Sequence, residues 1–196
     1  AARQGKDYDL SKIFEGSLVQ TDPFMAITLV DNHDTQPLQS LESPVDQWFK
    51  PHAYALILLR EQGIPCIFYP AYYGAKYTDK GGDGQDHEVT LPPVDELKIL
   101  LPLRRHKAYG LQRDYLDHGN TIGWTREGDD EHPGSGLAVL MSNGTEGFKK
   151  MEMGPRHARR RFKDALGHRR EVITTDEHGW AQFLCNAGSV SVWVPV

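Results

Sequence analysis

Side chains that can bind a ligand or carry a proton stand together at Asp31, Asn32, His33 and Asp34. They close a β-branched, apolar stretch, residues 27–31, which is typical of a strand buried on both faces. In α/β sheets and barrels, active sites collect where strands end at their carboxyl side. The pleat would point Asp31 and His33 to one side, and Asp34 comes where the pleat should break. The string therefore predicts a polar site at the mouth of a sheet or barrel.

Spacing alone leaves three interpretations of these side chains open. A polar cluster at a strand end is often only a helix cap or a hydrogen-bonded turn. His33 and a neighbouring Asp could ligate a metal ion, although adjacent residues seldom converge on one ion. The third interpretation is a catalytic or sugar-binding site, and the residue types suit it equally well.

The elements that must position this site alternate in type over residues 1–109. In chain order, the pattern predicts a strand at 27–31, a short helix starting at Ser43, a helix from Pro51 to Gly63, a strand at 64–69, a long loop at 79–87, and a helix opened by residues 92–96 and kinked by Pro102. Strands that alternate with helices are typical of an α/β sheet or barrel.

A second pattern takes over in residues 110–196. Short alternating segments between turn signals predict a separate antiparallel β domain, a sandwich in architecture. The predicted strands are TIGWTREG, SGLAVLMSNG, GFKKMEMG, REVITTDEHG, WAQFLCNAG and SVSVWVPV. Asn143-Gly144 predicts a hairpin between two of them. Val190, Val192 and Val194 alternate with other residues as in a half-buried strand.

Composition excludes several classes of protein. The chain has 196 residues, 39% hydrophobic and 25% charged, with a net charge of −5, so it should fold rather than remain disordered. The basic triplet 159–161 is too short to predict nucleic-acid binding, and no apolar run reaches the ~18–20 residues of a membrane span. Cys66 and Cys185 fall in different predicted domains. We therefore expect two free thiols and a reducing compartment.

The string TLVDNHDTQP resembles the fourth conserved sequence region of the α-amylase family, glycoside hydrolase family 13. WFKPHAYALILLREQGIPCIFY resembles the seventh helix and eighth strand of that family's (β/α)8 barrel, and YDLSKIFEGSL resembles the lead-in to the seventh strand. GWTREGD, SGLAVLMSNG and NAGSVSVWV resemble the C-terminal β domain. GGDGQ and FLCNAGSVSVWV carry a likeness to the bacterial, cytoplasmic type. The resemblance implies the C-terminal strands and helices of a TIM barrel (1–109), followed by an antiparallel β-sandwich domain (110–196).

The resemblance also implies residue roles. Asp34 matches the third catalytic carboxylate of the family, which hydrogen-bonds the sugar at the cleavage site and stabilises an oxocarbenium-like transition state. His33 matches the histidine that binds the same sugar. Asp31 and Asn32 are expected to orient the loop, and Gln36 to line the cleft. The implied partners are α-1,4-glucans or malto-oligosaccharides.

The departures from the family matter as much as the match. A retaining glycosidase needs a nucleophile and an acid/base carboxylate roughly 5–5.5 Å apart. Neither the family's GFRxDAVKH motif nor its catalytic-Glu context occurs in this sequence. The chain thus resembles the C-terminal part of an α-amylase, is expected to be inactive alone, and has the remainder of the barrel as a partner. Its strands 27–31 and 64–69 would then carry exposed apolar faces.

Calcium is expected in the full-length family enzymes, with ligands outside this chain. In many secreted bacterial relatives a calcium ion joins barrel and β domain, bound partly by a His-Asp pair before GWTREG and an Asp in the later hairpin. Here those positions are Gly119, Asn120 and Asn143, so we expect no calcium in this segment. The family's YGD motif is Tyr69-Pro70-Ala71 here, which changes the polar contacts of that loop. The likeness to the cytoplasmic type implies a cytoplasmic location.

The aromatic residues leave a rival function open. Trp124, Trp180 and Trp193 fit core packing better than sugar stacking, whereas Tyr72, Tyr73 and Tyr77 are candidate sugar platforms. The alternative is a non-catalytic carbohydrate-binding or scaffolding fragment in which the β domain does the work. Within the same family, α-1,6 hydrolysis or transglycosylation also remains open, because upstream loops decide it.

Overall fold

The structure is a computed structural model that describes residues 5–196, so the first four residues of the predicted 1–109 segment lie outside it. The α-helices are α1 (Leu18–Thr21), α2 (Lys50–Leu59), α3 (Tyr69–Tyr73) and α4 (Leu97–His106). Short 3-10 helices cover Gly5–Asp7, Leu10–Lys12, Gln47–Phe49 and Pro155–His157. The strands are β1 (Ile27–Thr28), β2 (Ile64–Pro65), β3 (Ala75–Lys80), β4 (Asp86–Leu91), β5 (Gln112–Tyr115), β6 (Thr121–Arg126), β7 (Leu137–Ser142), β8 (Gly147–Glu152), β9 (Arg161–Asp164), β10 (Val172–Thr174), β11 (Trp180–Cys185) and β12 (Val190–Pro195).

The first half contains a parallel strand pair joined through a helix. β1 and β2 pair in parallel, with Ile27 opposite Ile64, and α2 lies between them in the chain. Both strands are shorter than predicted. The burial on both faces expected from the apolar pattern is wrong, because Ile27 is 68% exposed and Ile64 is 57% exposed. The exposed apolar faces expected from the family resemblance are present instead. A second apolar layer covers only one side of this pair among the described residues.

Helix α2 begins and ends for local reasons. Pro51 occupies its first turn, where a missing N–H costs nothing. Its chain reverses at Gly63, whose φ of +87° is the left-handed region that glycine tolerates. The short helix predicted at Ser43 is absent. Instead the Ser43 N–H donates to the Thr35 carbonyl at 2.9 Å, and helical structure starts only at Gln47.

The prediction of a long loop at 79–87 is wrong. β3 and β4 form an antiparallel hairpin that runs from Ala75 opposite Leu91 to Lys80 opposite Asp86. The glycines occupy only the turn, which the Gly81 N–H closes on the Gln85 carbonyl at 2.9 Å. Charged residues continue into both strands because their side chains reach solvent. The predicted helix after residue 92 is present as α4, and it contains Pro102.

The second half is mainly antiparallel β structure in two layers. One sheet has six strands in the order β10-β9-β12-β7-β6-β5, and β11 pairs with β8 in the other layer. The six predicted strands are confirmed, whereas β5 and β9 were not predicted. Asn143-Gly144 is not a hairpin turn, because β7 pairs with β6 and β12 while β8 pairs with β11. The chain instead passes from one layer to the other at this point.

The central strands of the six-stranded sheet, β6, β7 and β12, are buried on both faces, whereas β5, β9 and β10 are partly exposed. One face packs on α2 and α4 in a core that includes Leu58, Leu100 and Trp124. The other face packs on β8 and β11 around Phe183 and Trp193. Strand β12 is therefore buried throughout rather than half-buried as predicted, since its valines face the helices and its tryptophan faces the second layer. Gly123 permits the close approach of the layers, because a Cβ there would lie 2.7 Å from Met151 Sδ.

Two further expectations concern single features of the chain. Cys66 and Cys185 are free thiols, as predicted. Burial raises the pKa of the Cys185 thiol to about 12, which makes it unreactive at neutral pH. No helix in residues 5–196 has both the length and the apolar character needed to cross a bilayer.

Candidate functional site

Asp31 anchors the segment that follows β1. Its Oδ2 lies 2.6 Å from Lys50 Nζ at the start of α2, and both side chains are almost fully buried. Its Oδ1 accepts a hydrogen bond from the Val45 N–H at 3.0 Å. One carboxylate thus ties the strand end to the loop and to the helix, so Asp31 is a positioning residue that faces inward.

Asn32 shapes the turn that presents the next two side chains. Its Oδ1 accepts hydrogen bonds from the N–H groups of Asp34 at 3.1 Å and Thr35 at 2.9 Å. The Asn32 N–H in turn donates to Thr35 Oγ1 at 3.1 Å. This is an Asx turn, in which the side chain replaces a backbone acceptor. Asp31 and Asn32 therefore orient the loop, as the sequence indicates.

His33 and Asp34 project from this turn into solvent. Their side chains are 80% and 51% exposed, and His33 Nε2 lies 3.3 Å from Asp34 Oδ1. No other ion pair holds Asp34 among the described residues. The contacts of Asp31 and Asn32 fix the backbone of the loop, while His33 and Asp34 remain accessible. This is the arrangement expected of groups that contact a ligand.

Gln36 lies lower in the same loop. It is half-buried and lines a small cavity together with the Asp31–Lys50 ion pair and residues of α3. The β3–β4 hairpin supports the loop from the side, because Tyr77 Oη donates to the Pro37 carbonyl at 2.5 Å and Gln39 Nε2 donates to Asp79 Oδ2 at 2.8 Å. Tyr77 is therefore a strut of the loop rather than an open platform.

Of the other two predicted platforms, Tyr73 is exposed and Tyr72 is half-buried. Tyr73 is exposed and stacks on Tyr69, with ring centroids 4.5 Å apart, and Tyr72 meets Tyr73 edge-on at 4.8 Å. Such a cluster of rings at the surface can stack on a sugar face. Sequence analysis named Tyr72 and Tyr73 but missed Tyr69, which α3 brings to the same side one helical turn earlier.

Exposed apolar side chains surround the strand pair that carries the site. They lie on α1, in the turn before β1, on β1, directly after β1 or on β2, and they are Leu18, Phe24, Met25, Ile27, Leu29 and Ile64. Exposed apolar side chains concentrated in this way are typical of a place where further protein packs. The site and the uncovered surface therefore belong to the same part of the molecule.

The amino-acid sequence is similar to sequences of known proteins. Residues 137–194 match the family described as Alpha-amylase C-terminal. Over 99% of its length, the chain is 53% identical to the cytoplasmic alpha-amylase of Escherichia coli and covers 39% of that protein. It is 46% identical over 100% of its length to an alpha-amylase of Geobacillus stearothermophilus and covers 34% of that protein. In sequence, the chain corresponds to the C-terminal part of bacterial α-amylases.

The fold agrees with this α-amylase match. The chain superposes over its full length on α-amylase I of Eisenia fetida, solved with maltohexaose, with a TM-score of 0.68, 13% identity and 46% of that chain covered. An α-amylase of Geobacillus thermoleovorans, solved with acarbose, gives a TM-score of 0.58 and 16% identity over 86% of this chain and 38% of its own. The chain spans less than half the length of each relative.

Two of the three tryptophans in residues 110–196 are core residues. Trp124 and Trp193 are 0% exposed, and their Nε1 groups donate to the carbonyls of Leu59 at 3.3 Å and Leu184 at 3.1 Å. Trp180 is half-buried against Lys150. The core interpretation is therefore correct for Trp124 and Trp193, and neither can stack on a sugar.

Asn120 and Asn143, two of the positions considered for calcium in the sequence analysis, form an amide network. Asn143 Nδ2 donates to the carbonyls of Gly5 at 2.9 Å and Tyr8 at 2.8 Å, and its Oδ1 accepts from Asn120 Nδ2 at 3.1 Å. Amide N–H groups bind these carbonyls, and neither Asn120 nor Asn143 supplies a carboxylate, so the two side chains do not fit a hard cation. The Asp9 carboxylate lies beside Gly119 and accepts hydrogen bonds from Ser11. Within residues 5–196 no group of three His, Cys, Asp or Glu could hold a metal ion.

One further groove was missed by the sequence analysis. Trp48 lies partly exposed before α2, beside the buried His52, whose ring stacks on Phe49 at 5.0 Å. The groove is also lined by Glu96 and by Ser189 of the turn before β12. Only the packing of the helices against the β region brings these residues together, so no local pattern could have predicted the groove.

Proposed function

We propose that this chain forms the C-terminal part of an endo-acting, retaining α-amylase that hydrolyses α-1,4-glucosidic bonds in starch, glycogen and malto-oligosaccharides. The observation that carries the proposal is the 53% identity to the E. coli cytoplasmic alpha-amylase across 99% of this chain. The described geometry supports it, because a buried Asp31 and a turn-forming Asn32 leave Asp34 and His33 free at the surface.

In this proposal Asp34 acts by charge and hydrogen bonding. Glycoside cleavage passes through an oxocarbenium-like state, and a fixed carboxylate that binds the sugar hydroxyls stabilises that state more than the substrate. His33 binds the same sugar ring, and Gln36 lines the cleft. Nucleophile and acid/base are carboxylates that this sequence does not supply.

The remainder of the enzyme completes the site. We propose that residues 1–109 are the last strands and helices of a (β/α)8 barrel and that residues 110–196 are its C-terminal β domain. The parallel pairing of β1 and β2 around an intervening helix supports the first assignment. The exposed apolar residues Ile27 and Ile64 support a partner on the open side of the pair.

The cofactor and location follow from the same likeness. We propose that any calcium of the full-length enzyme is bound by residues outside this chain, since amides occupy Asn120 and Asn143 here. We also propose a cytoplasmic location. The named type of the E. coli relative and the two free cysteines support it.

Replacement of Asp34 in the full-length protein tests the function. Asp34→Asn removes the anion while keeping the side chain's shape, and starch-hydrolysis kcat should fall on the order of 10³-fold, as for loss of a transition-state contact. Asp86→Asn is the matched control, because it neutralises an exposed carboxylate at the turn end of β4. Equal activity of the Asp34→Asn enzyme and the control would refute the role of Asp34.

The 196-residue chain by itself should be inactive. A chromogenic maltoside incubated with the purified chain should release no product above background, because two of three carboxylates are lacking. Detectable turnover would overturn that part of the proposal. The rival, a non-catalytic carbohydrate-binding fragment, predicts starch retention by this chain that survives Asp34→Asn, and the complete burial of Trp124 and Trp193 weighs against it.

A further inference from the structure

Four arginines converge on one cleft far along the chain from the candidate active site. The cleft has a volume of about 270 Å³ and is lined by Arg60, Arg104, Arg105 and Arg126 together with Glu61, Ala108 and Tyr109. The residues come from the segment after α2, from the end of α4 and from the end of β6. A protein with a net charge of −5 thus concentrates positive charge at a single junction.

Only one of these arginines has a carboxylate partner. Arg60 donates to both oxygens of Asp114, at 2.6 and 2.8 Å. Arg126 Nε donates to the Gly110 carbonyl at 3.0 Å, and Arg104 Nη1 donates to the Leu58 carbonyl at 2.7 Å. Within residues 5–196, no salt bridge forms at Arg104, Arg105 or Arg126. Each guanidinium therefore retains N–H donors that no acceptor has taken.

Arg126 is the residue that makes the arrangement costly. It is only 7% exposed, and burial lowers the pKa of its guanidinium, the nearby Glu61 raises it, and Arg104 and Arg60 lower it further. A buried charge without a counter-charge is unfavourable. The carbonyl ends of α2 and α4 lie at this junction and offset part of the charge, as does Glu61. The guanidinium nitrogens of Arg126, Arg104 and Arg105 that make no protein hydrogen bond are not enclosed by protein, so they are open to a ligand from the cleft.

We propose that this cleft binds a phosphate group. A phosphate dianion presents several acceptor oxygens that match planar guanidinium forks, and its charge would compensate Arg126 and Arg104 together. The cleft has room for phosphate and a small attached group, and the Tyr109 ring, which stacks on His132 at 3.5 Å, forms one wall. This site stands on its own contacts and is independent of the amylase assignment.

Titration of the full-length protein with inorganic phosphate, at constant ionic strength kept with chloride, tests the site. Calorimetry should show one saturable site, and phosphate should raise the melting temperature. Arg105→Ala should weaken binding about tenfold, since it removes one charge-assisted contact from an exposed side chain. Arg126→Gln should abolish binding. Arg170→Ala is the matched control, because that exposed arginine precedes β10, at the opposite edge of the sheet from β5.

The outcomes separate the possibilities. Saturable binding that both cleft variants weaken and Arg170→Ala preserves supports the site. Absence of binding in the unmodified protein, or equal affinity in all variants, overturns it. If Arg126→Gln fails to fold by circular dichroism, Arg105→Ala alone decides. Glucose 1-phosphate then identifies the source, because tighter binding than phosphate that Tyr109→Ala removes indicates a sugar phosphate, and equal binding indicates phosphate itself. Starch-hydrolysis activity is not the readout, so failure here leaves the proposed function untouched.

Discussion

The apolar residues of the β region, residues 110–196, are largely buried, whereas several in and around the β1–β2 pair are exposed. Ile122 of β6 is 0% exposed, between α2 and α4 on one side and the second β layer on the other, whereas Ile27 of β1 is 68% exposed. Both are isoleucines in strands of the same chain. The difference teaches that the central strands of the β region are covered on both faces by described elements, including α2 and α4, while the strand pair leaves apolar side chains exposed.

The candidate site lies on the incomplete side of this division. Its support, the Asp31–Lys50 ion pair, is built within the described chain, but its open side adjoins the exposed apolar residues. A loop whose backbone is held by the described chain, but whose side chains lie beside an uncovered surface, is what a catalytic centre shared with other segments would require. The following predictions test this contrast in order of expected effect.

The largest effect on stability should follow from removing the Asp31–Lys50 ion pair that supports the loop. Asp31→Ala leaves Lys50 buried without a partner, so the free energy of unfolding should fall by about 3–5 kcal/mol. Asp34→Ala, three residues on, removes an exposed carboxylate and should change stability by less than about 0.5 kcal/mol. Urea unfolding of the full-length protein measures both. If the two variants lost similar free energy of unfolding, Asp31 would not be the residue that supports the loop and Asp34 would not be a merely exposed side chain.

A matched pair of isoleucines compares the two regions directly. Ile122→Ala should cost about 2–5 kcal/mol, because it opens a cavity in a packed core. In the 196-residue chain Ile27→Ala should cost less than about 0.5 kcal/mol. In the full-length protein the cost of Ile27→Ala should rise to that of a core residue. An unchanged, small cost in the full-length protein would mean that nothing covers β1.

The smallest effect concerns pH and the junction between the regions. Burial lowers the pKa of His52 to about 4, from about 6.5 when unfolded. Between these values the unfolded chain binds more protons, so stability should rise with pH from about 4 to 6.5, by at most about 3 kcal/mol, and then level off. His52→Gln should flatten this rise in melts across that range. His178→Gln, which alters an exposed histidine, should not.

The sequence pattern predicted strands and helices well where the apolar residues of the pattern are buried in the structure. The alternating segments after residue 110 became strands because β-branched and aromatic residues suit both layers. Local signals failed where partners are distant. Asn143-Gly144 has the composition of a tight hairpin, yet Asn143 is drawn into contacts with Gly5, Tyr8 and Asn120, and the chain changes layers instead.

The site divides in the same way. The family resemblance implied that Asp31 and Asn32 would orient the loop and that His33 and Asp34 would contact the sugar. The expectation that the pleat points Asp31 and His33 to one side is wrong, because Asp31 is 5% exposed and the His33 side chain is 80% exposed. The sequence could not predict Lys50 as the counter-charge, because that contact depends on how α2 packs against the end of β1. Nor could any spacing predict that Arg60, Arg104 and Arg126, from three different elements, meet in one cleft.

The sequence by itself determined the local chemistry: which residues turn, which alternate, and which carry charge or aromatic rings. Those properties depend on neighbours a few positions away, so they can be read along the chain. Only the tertiary structure decided which faces are buried. Val192 and Trp193 lie on opposite faces of β12 and are both fully buried, because α2 covers one face and β11 covers the other, and Ile27 stays exposed because no described element reaches it.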